Sequence, residues 1–190
     1  MDANARPALI SRRGFLVIGA ATLVIPGALQ AQTTVPRNLG RSSATVVNYD
    51  SKERPGTVIV DARSRLLYLI MSPTEARRYK ISVGRDGFRW SGTVKVGAKK
   101  EWPFWTPPAE MRQRDPSLPE SVPPGPFNPL GARAIYLYRG SADTLFRIHG
   151  TNDADAIGGN QTSGCFRLTN KDVIDIYQRI EIGAKVIVLE

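Results

Sequence analysis

The chain is short of the residues that staple a fold, bind metals or exchange protons near neutral pH: among 190 residues there is one cysteine and one histidine. A single cysteine excludes an internal disulfide, so Cys165 is free or joined to another chain. One cysteine and one histidine supply at most two of the usual ligands of a zinc site, so no metal and no cofactor is expected. The apolar run from Phe15 to Leu29 is shorter than the roughly 20 residues of a bilayer span, and Gly19 and Pro26 interrupt it. Internal repeats are absent. Acidic residues are in deficit, 17 against 26 lysines and arginines, for a net charge of +9. Charge of that size invites a nucleic-acid reading. The basic residues are scattered and form no nucleic-acid motif, so the expectation is a basic surface drawn to anionic envelope polymers or membrane faces.

Ser11-Arg12-Arg13-Gly14-Phe15-Leu16 sets paired arginines before an uncharged run from Gly14 to Pro36, and Ala31 supplies the small residue a signal peptidase takes. This resembles a twin-arginine export signal over residues 1–31, with an uncleaved anchor as the alternative. No cysteine follows the apolar run to carry a lipid. Without residues 1–31, 23 basic and 16 acidic residues remain, a net charge of +7. The expected location is the periplasm or cell envelope, with membrane contact only through the signal.

What remains suits one domain with a tail. Residues 32–56 are polar and aperiodic and read as a flexible segment. From Thr57 the chain turns to short β-branched runs. Thr57 to Val60 and Leu66 to Ile70 flank a polar stretch and read as a hairpin, and Tyr79 to Val83 reads as a strand ending at Gly84. Nine of the fourteen prolines lie between Pro103 and Pro129, where neither a helix interior nor a central strand can form, so a long ordered loop is expected. With Trp102, Trp105 and Phe127 near its ends, it reads as a lid or groove wall, or else as an insertion covering the core. Ile135 to Tyr138 and Leu145 to Ile148 are strand-like. Thr169 and Asp172 have capping-box spacing, and Val173, Ile176, Tyr177 and Ile180 recur at helical spacing up to a stop at Gly183. Lys185 to Leu189 reads as a last strand.

The two scarce residues lie sixteen positions apart, His149 in His149-Gly150-Thr151-Asn152 and Cys165 in Ser163-Gly164-Cys165-Phe166-Arg167. A thiol needs a neighbouring base or positive field to become an effective nucleophile, and this stretch holds one candidate of each kind. Either residue taken singly has a structural reading, as a small buried hydrophobe or a satisfied histidine. Together, in glycine-rich surroundings and with Arg167 two residues on, they read as a site.

His149-Gly150-Thr151-Asn152, then Gly158-Gly159, then Gly164-Cys165-Phe166-Arg167-Leu168 resembles the signature of the L,D-transpeptidase (YkuD-like) catalytic domain. The resemblance extends over residues 57–190. It implies a mainly β fold, with mixed sheets in a sandwich or flattened barrel and one or two short helices. It also implies acyl transfer on peptidoglycan. Cys165 would attack the third residue of a tetrapeptide stem, release D-alanine and hold a thioester, which an amine of a second stem or of an envelope protein resolves. Carbapenems would be expected to acylate the same thiol. In this family's geometry His149 is the base, oriented by the Gly150 carbonyl, and the N–H groups of Ser163, Gly164 and Cys165 form the oxyanion hole. Arg167, with Thr151 and Asn152, would contact substrate. A thiolate–imidazolium pair would keep Cys165 reactive well below the reference thiol pKa of about 8.5.

Two positions depart from the family pattern. Thr162 stands where serine is frequent, and Ser163 stands where many members carry a second histidine. Papain-like peptidases run cysteine before histidine, and sortase-like enzymes place the histidine much further upstream. A wall-binding module without turnover, or a carboxypeptidase transferring to water, remains the alternative.

Overall fold

The computed structural model describes residues 39–189. The export signal expected over residues 1–31 lies outside them. Eleven strands and two helices follow in chain order: β1 (Thr45–Asn48), β2 (Val58–Asp61), β3 (Leu66–Ser72), β4 (Glu75–Lys80), β5 (Val83–Gly84), β6 (Gly92–Glu101), α1 (Ala109–Arg114), β7 (Arg133–Arg139), β8 (Ala142–His149), β9 (Asn160–Thr162), β10 (Phe166–Arg167), α2 (Asn170–Arg179) and β11 (Lys185–Leu189). Nine strands form one mixed sheet in the order β1-β4-β3-β2-β11-β6-β7-β8-β10, and β5 pairs with β9 in a small parallel sheet. The mainly β class with two short helices is as expected.

The sheet curls until its two ends meet. Just past β4, Ser82 N donates to Arg167 O at 2.8 Å and Arg167 N donates to Ser82 O at 3.0 Å, so the β4 side of the sheet is stitched to β10 at the other end. The interior this encloses is filled from both ends and the middle, by Leu67, Tyr79, Ile135, Leu137, Ile148 and Phe166. β2 and β11 sit centrally and pair in parallel, and all of Val58, Ile59 and Val60 are buried, which accounts for their continuous apolar run. α2 contributes Val173, Ile176 and Ile180 to the same core.

Its start is capped as the sequence predicts, with Thr169 Oγ1 accepting from Asp172 N at 3.1 Å. The other half of the box is diverted. The Asp172 carboxylate does not reach back to its own helix start; it accepts from Ser42 Oγ at 2.6 Å and from Ser43 N and Oγ at 3.0 and 2.8 Å. Over residues 39–56 these bonds correct the expectation of a flexible segment at 32–56, of which residues 32–38 lie outside the described residues. From Leu39 onward the chain is anchored, and Thr45–Asn48 adds an edge strand to β4. Four residues with no apolar alternation give no sequence signal for such a strand.

Two further expectations change. The strand expected over Tyr79 to Val83 starts earlier, at Glu75, and stops at Lys80; Ile81 and Ser82 turn toward β10, and Val83–Gly84 pairs elsewhere. β6 was not anticipated at all. Its Thr93-Val94-Lys95-Val96 run does alternate exposed and buried. Gly97 at its bulge sits against the Tyr138 ring, where any Cβ would collide.

The proline-rich stretch is ordered around one side chain. Asn128 is fully buried; its Nδ2 donates to the carbonyls of Pro103, Val122 and Pro123 at 2.8, 3.1 and 3.1 Å, and its Oδ1 accepts from Leu130 N at 2.9 Å. α1 occupies the proline-free interval between Pro108 and Pro116. No helix among the described residues is long and apolar enough to cross a membrane.

Candidate active site

β8 ends at His149, and β10 runs parallel beside it with Phe166 opposite Ile148 and Arg167 opposite His149. This pairing brings the histidine, the cysteine loop and the arginine to one place, although sixteen residues separate His149 from Cys165 in the chain.

The histidine is 5% exposed, and its Nδ1 lies 2.6 Å from Gly150 O. A carbonyl can only accept, so Nδ1 carries the proton and Nε2 is left as the base. Burial pushes the ring pKa down to about 4; the positive charges of Arg167 and Arg147 act in the same direction, and the Gly150 bond opposes them. The imidazole is therefore neutral at pH 7.

Cys165 is half-buried, and its Sγ lies 3.9 Å from Leu145 O. Burial pushes the thiol pKa up, against the backbone N–H and guanidinium of Arg147 and the charge of Arg167, which favour the thiolate. Both partners are thus neutral in the resting site. A thiolate–imidazolium ground state is not what this environment stabilises, because burial penalises both charges and the two arginines disfavour the imidazolium.

The cysteine loop is held from three sides. Thr162 Oγ1 donates to Cys165 O at 2.6 Å, Trp90 Nε1 donates to Gly164 O at 2.9 Å, and Arg85 N donates to Thr162 O at 3.0 Å. Trp90 is itself fixed by stacking on Phe146, with centroids 4.6 Å apart, and by a tilted contact with Phe166. Gly164 has φ +100°, and a Cβ there would run into Phe146 and the Phe88 carbonyl. The N–H groups of Ser163, Gly164 and Cys165 donate to no acceptor among the described residues. Opposite the thiol, β8 is distorted: Leu145 has φ +62° within an irregular stretch of the β7–β8 pairing. A bulge beside a reactive group re-aims backbone and stores strain, here turning the Leu145 carbonyl to the sulfur.

The other expected site residues divide. Arg167 borders the site; its guanidinium is partly buried and its Nε is buried without a hydrogen-bond partner among the described residues. Asn152 is exposed, and its Nδ2 lies 3.4 Å from Phe127 O, joining the histidine turn to the proline-rich stretch. Thr151 differs from expectation. It is 1% exposed and its hydroxyl closes on Asp153, donating to Asp153 O at 3.1 Å and accepting from Asp153 N at 3.0 Å, so its side chain shapes the turn and offers substrate no free face. Sequence reasoning missed Trp90, Arg147 and Asn170. Of these, Arg147 had a readable signal, a cation two residues before the histidine on the same strand. It forms a bidentate pair with Asp143 at 2.7 and 2.9 Å and lies over the Tyr136 ring. A cavity of about 860 Å³ lined by Lys52 to Thr57, Arg179 and Glu181 to Lys185 contains none of these residues.

Residues 55–188 match the family model of the L,D-transpeptidase catalytic domain, YkuD. The chain belongs to that family. It is 37% identical over 139 residues to a probable L,D-transpeptidase, YbiS, of Escherichia coli K12, a match covering 69% of this chain and 43% of the relative. The chain thus spans less than half the length of that relative. A solved structure from Brucella melitensis, named as a probable carnitine operon oxidoreductase, is 43% identical with a TM-score of 0.54, covering 77% of this chain and 92% of that one. L,D-transpeptidase 3 of Mycobacterium tuberculosis shares the fold at 16% identity and a TM-score of 0.54, covering 70% of this chain and 60% of that one.

Proposed function

We propose that the protein is an exported peptidoglycan L,D-transpeptidase that works through a Cys165 thioester in the periplasm or cell envelope. The observation that carries this reading is the 2.6 Å contact between His149 Nδ1 and Gly150 O, which leaves Nε2 as an unprotonated base in a site with one thiol. Cys165 Sγ attacks the carbonyl carbon of the third stem residue as Nε2 accepts the thiol proton, so charge separates only when the bond forms. The oxyanion falls to the unused N–H groups of Ser163, Gly164 and Cys165, where one such donor lowers the barrier by about 3 kcal/mol. Collapse breaks the bond to terminal D-alanine, whose nitrogen takes the proton from Nε2. An amine from a second stem or an envelope protein then attacks the thioester, giving its proton to His149, which returns it to the departing sulfur. The acyl group ends on the amine as a 3→3 cross-link or a protein attachment, and no cofactor is consumed.

Arg167 suits a substrate carboxylate, since its buried Nε lacks a hydrogen-bond partner among the described residues and its fork is planar. The proline-rich stretch forms a groove wall. Phe127, 82% exposed, is tied to Asn152 through its carbonyl, and Arg114 of α1 lies 4.8 Å from the Phe88 ring centroid, whose residue abuts Gly164.

Incubation with a carbapenem followed by intact-mass measurement should reveal one covalent adduct that Cys165→Ala lacks; equal labelling of both would defeat the proposal. Purified tetrapeptide stems separate the alternatives. D-alanine release with transfer to an amine means transpeptidation, release without transfer a carboxypeptidase, and saturable binding without release a binding module.

A further inference from the structure

The base in this site is oriented by a backbone carbonyl, and something must in turn hold that carbonyl. Gly150 O belongs to the same planar peptide unit as Thr151 N–H, and in a trans unit the two point to opposite sides. On the far side lies Asn170, the first residue of α2. Its Oδ1 accepts from Thr151 N at 3.2 Å and from Ala132 N at 2.8 Å, and its Nδ2 donates to Thr151 O at 2.7 Å. The side chain is 3% exposed. It is wedged so tightly that a Cβ on Gly131 or Gly150 would strike Asn170 Oδ1. Glycine at position 150 is thus required by the carboxamide behind it.

We propose that Asn170 is the positioning residue of the site, acting on His149 through one intervening peptide: Asn170 Oδ1, Thr151 N–H, Gly150 C=O, then His149 Nδ1–H. In a serine-protease triad an aspartate fixes the histidine tautomer directly. Here a neutral amide does so at one remove. A peptide whose N–H is already engaged is a stronger acceptor at its C=O, because hydrogen bonds in a chain polarise one another. The arrangement selects the Nδ1–H tautomer without placing a negative charge beside the ring; the Gly150 bond favours a second proton, and burial with the nearby arginines outweighs it. The position also ties the base to the helix: α2 begins at the residue that holds the histidine turn, and the Thr169 cap and the Val173, Ile176 and Ile180 packing hold that residue still.

This inference rests on His149 serving as the base, yet its test does not require turnover. The chain has one histidine, so ring-nitrogen NMR of the full-length protein is unambiguous. The native protein should show a single Nδ1–H tautomer. Folded Asn170→Ser should show a mixture of tautomers, with kcat on tetrapeptide stems down about 10- to 100-fold and KM little changed. An unchanged single tautomer in folded Asn170→Ser would overturn the proposal. Asn170→Asp preserves volume should the serine variant fail to fold. Its carboxyl accepts from Thr151 N whether or not it is ionised, so the single tautomer should persist at neutral pH; a mixture of tautomers in folded Asn170→Asp would also overturn the proposal. Asp172→Asn, two residues along the same helix, releases Ser42 and Ser43 and should leave the ring signals unchanged. If it disturbs them as much as Asn170→Ser does, helix stability alone is responsible and the relay is refuted. Loss of the single tautomer in the Asn170→Ser variant of a protein that releases no D-alanine would leave the relay standing and remove the transpeptidase reading.

Discussion

The turn that carries His149 is closed on every side, whereas the loop that carries Cys165 keeps its backbone donors open. On the histidine side, Gly150 N donates to Arg133 O, Leu168 N donates to His149 O, and both polar groups of Thr151's backbone are met by Asn170. On the cysteine side, the carbonyls of Thr162, Gly164 and Cys165 are held, but the N–H groups of residues 163–165 take no protein acceptor among the described residues. The difference shows where the molecule spends its order. The imidazole is preset in one tautomer, and on the cysteine side three N–H groups are held in place by their carbonyl ends and meet no protein acceptor among the described residues at the other. Preorganised donors of this kind need no reorganisation when charge appears.

Substitutions at the two glycines should strike the two sides differently. Gly150→Ala drives a methyl into Asn170 Oδ1, so it should cost about 3 kcal/mol of stability and remove most activity, as read by urea unfolding and D-alanine release. Gly164→Ala meets a positive φ and the Phe146 ring, with an expected stability loss of about 2 kcal/mol. Its His149 NMR signals should remain native. If Gly164→Ala scrambles the tautomer as well, the two sides are not independent.

The histidine side also has a pH signature. The folded ring titrates near 4 and an unfolded one near 6.5, so between those values the unfolded state binds more protons and stability falls as pH falls. The full effect is about 3 kcal/mol, present above pH 6.5 and lost on approaching 4. Comparing urea unfolding at neutral pH and near pH 4 in the native protein and in His149→Gln measures it; equal acid sensitivity in both would place the ring in solvent. The cysteine side should respond at the other end of the scale. With its pKa raised by burial, Cys165 should be alkylated slowly by iodoacetamide at pH 7, with a rate that climbs only above the ordinary thiol range of about 8.5. Fast alkylation at pH 6 that depends on His149 would restore the thiolate–imidazolium pair. The smallest effect is expected at Leu145, 60% exposed with φ +62°. Leu145→Gly should relieve strain and raise stability by about 1 kcal/mol, measured by the same unfolding assay.

Much of this was legible in the chain. The hairpin of β2 and β3, the strands before His149, the α2 cap at Thr169 and the last strand all carry local signals, short runs rich in apolar and β-branched residues or a hydroxyl before a helical stripe. The elements that were not legible depend on distant partners. β1 forms by pairing with β4, and Ser42 just before it donates to Asp172, some 130 residues away. Trp90 matters because the fold lays it on Phe146 and against the Gly164 carbonyl. Asn170 looks like an ordinary polar residue at a helix start, and only the packing of α2 under Gly131 and Gly150 gives it a task.

Read by itself, the chain determines which atoms are the candidates for the proposed chemistry, because it contains one thiol, one imidazole and an arginine two residues beyond the thiol. Where the protons rest is another matter. That is decided by burial, by the fields of Arg147 and Arg167, and by a peptide plane held between His149 and Asn170. Protonation depends on distances and solvent exposure, and the fold sets both by bringing β8, β10 and the start of α2 together.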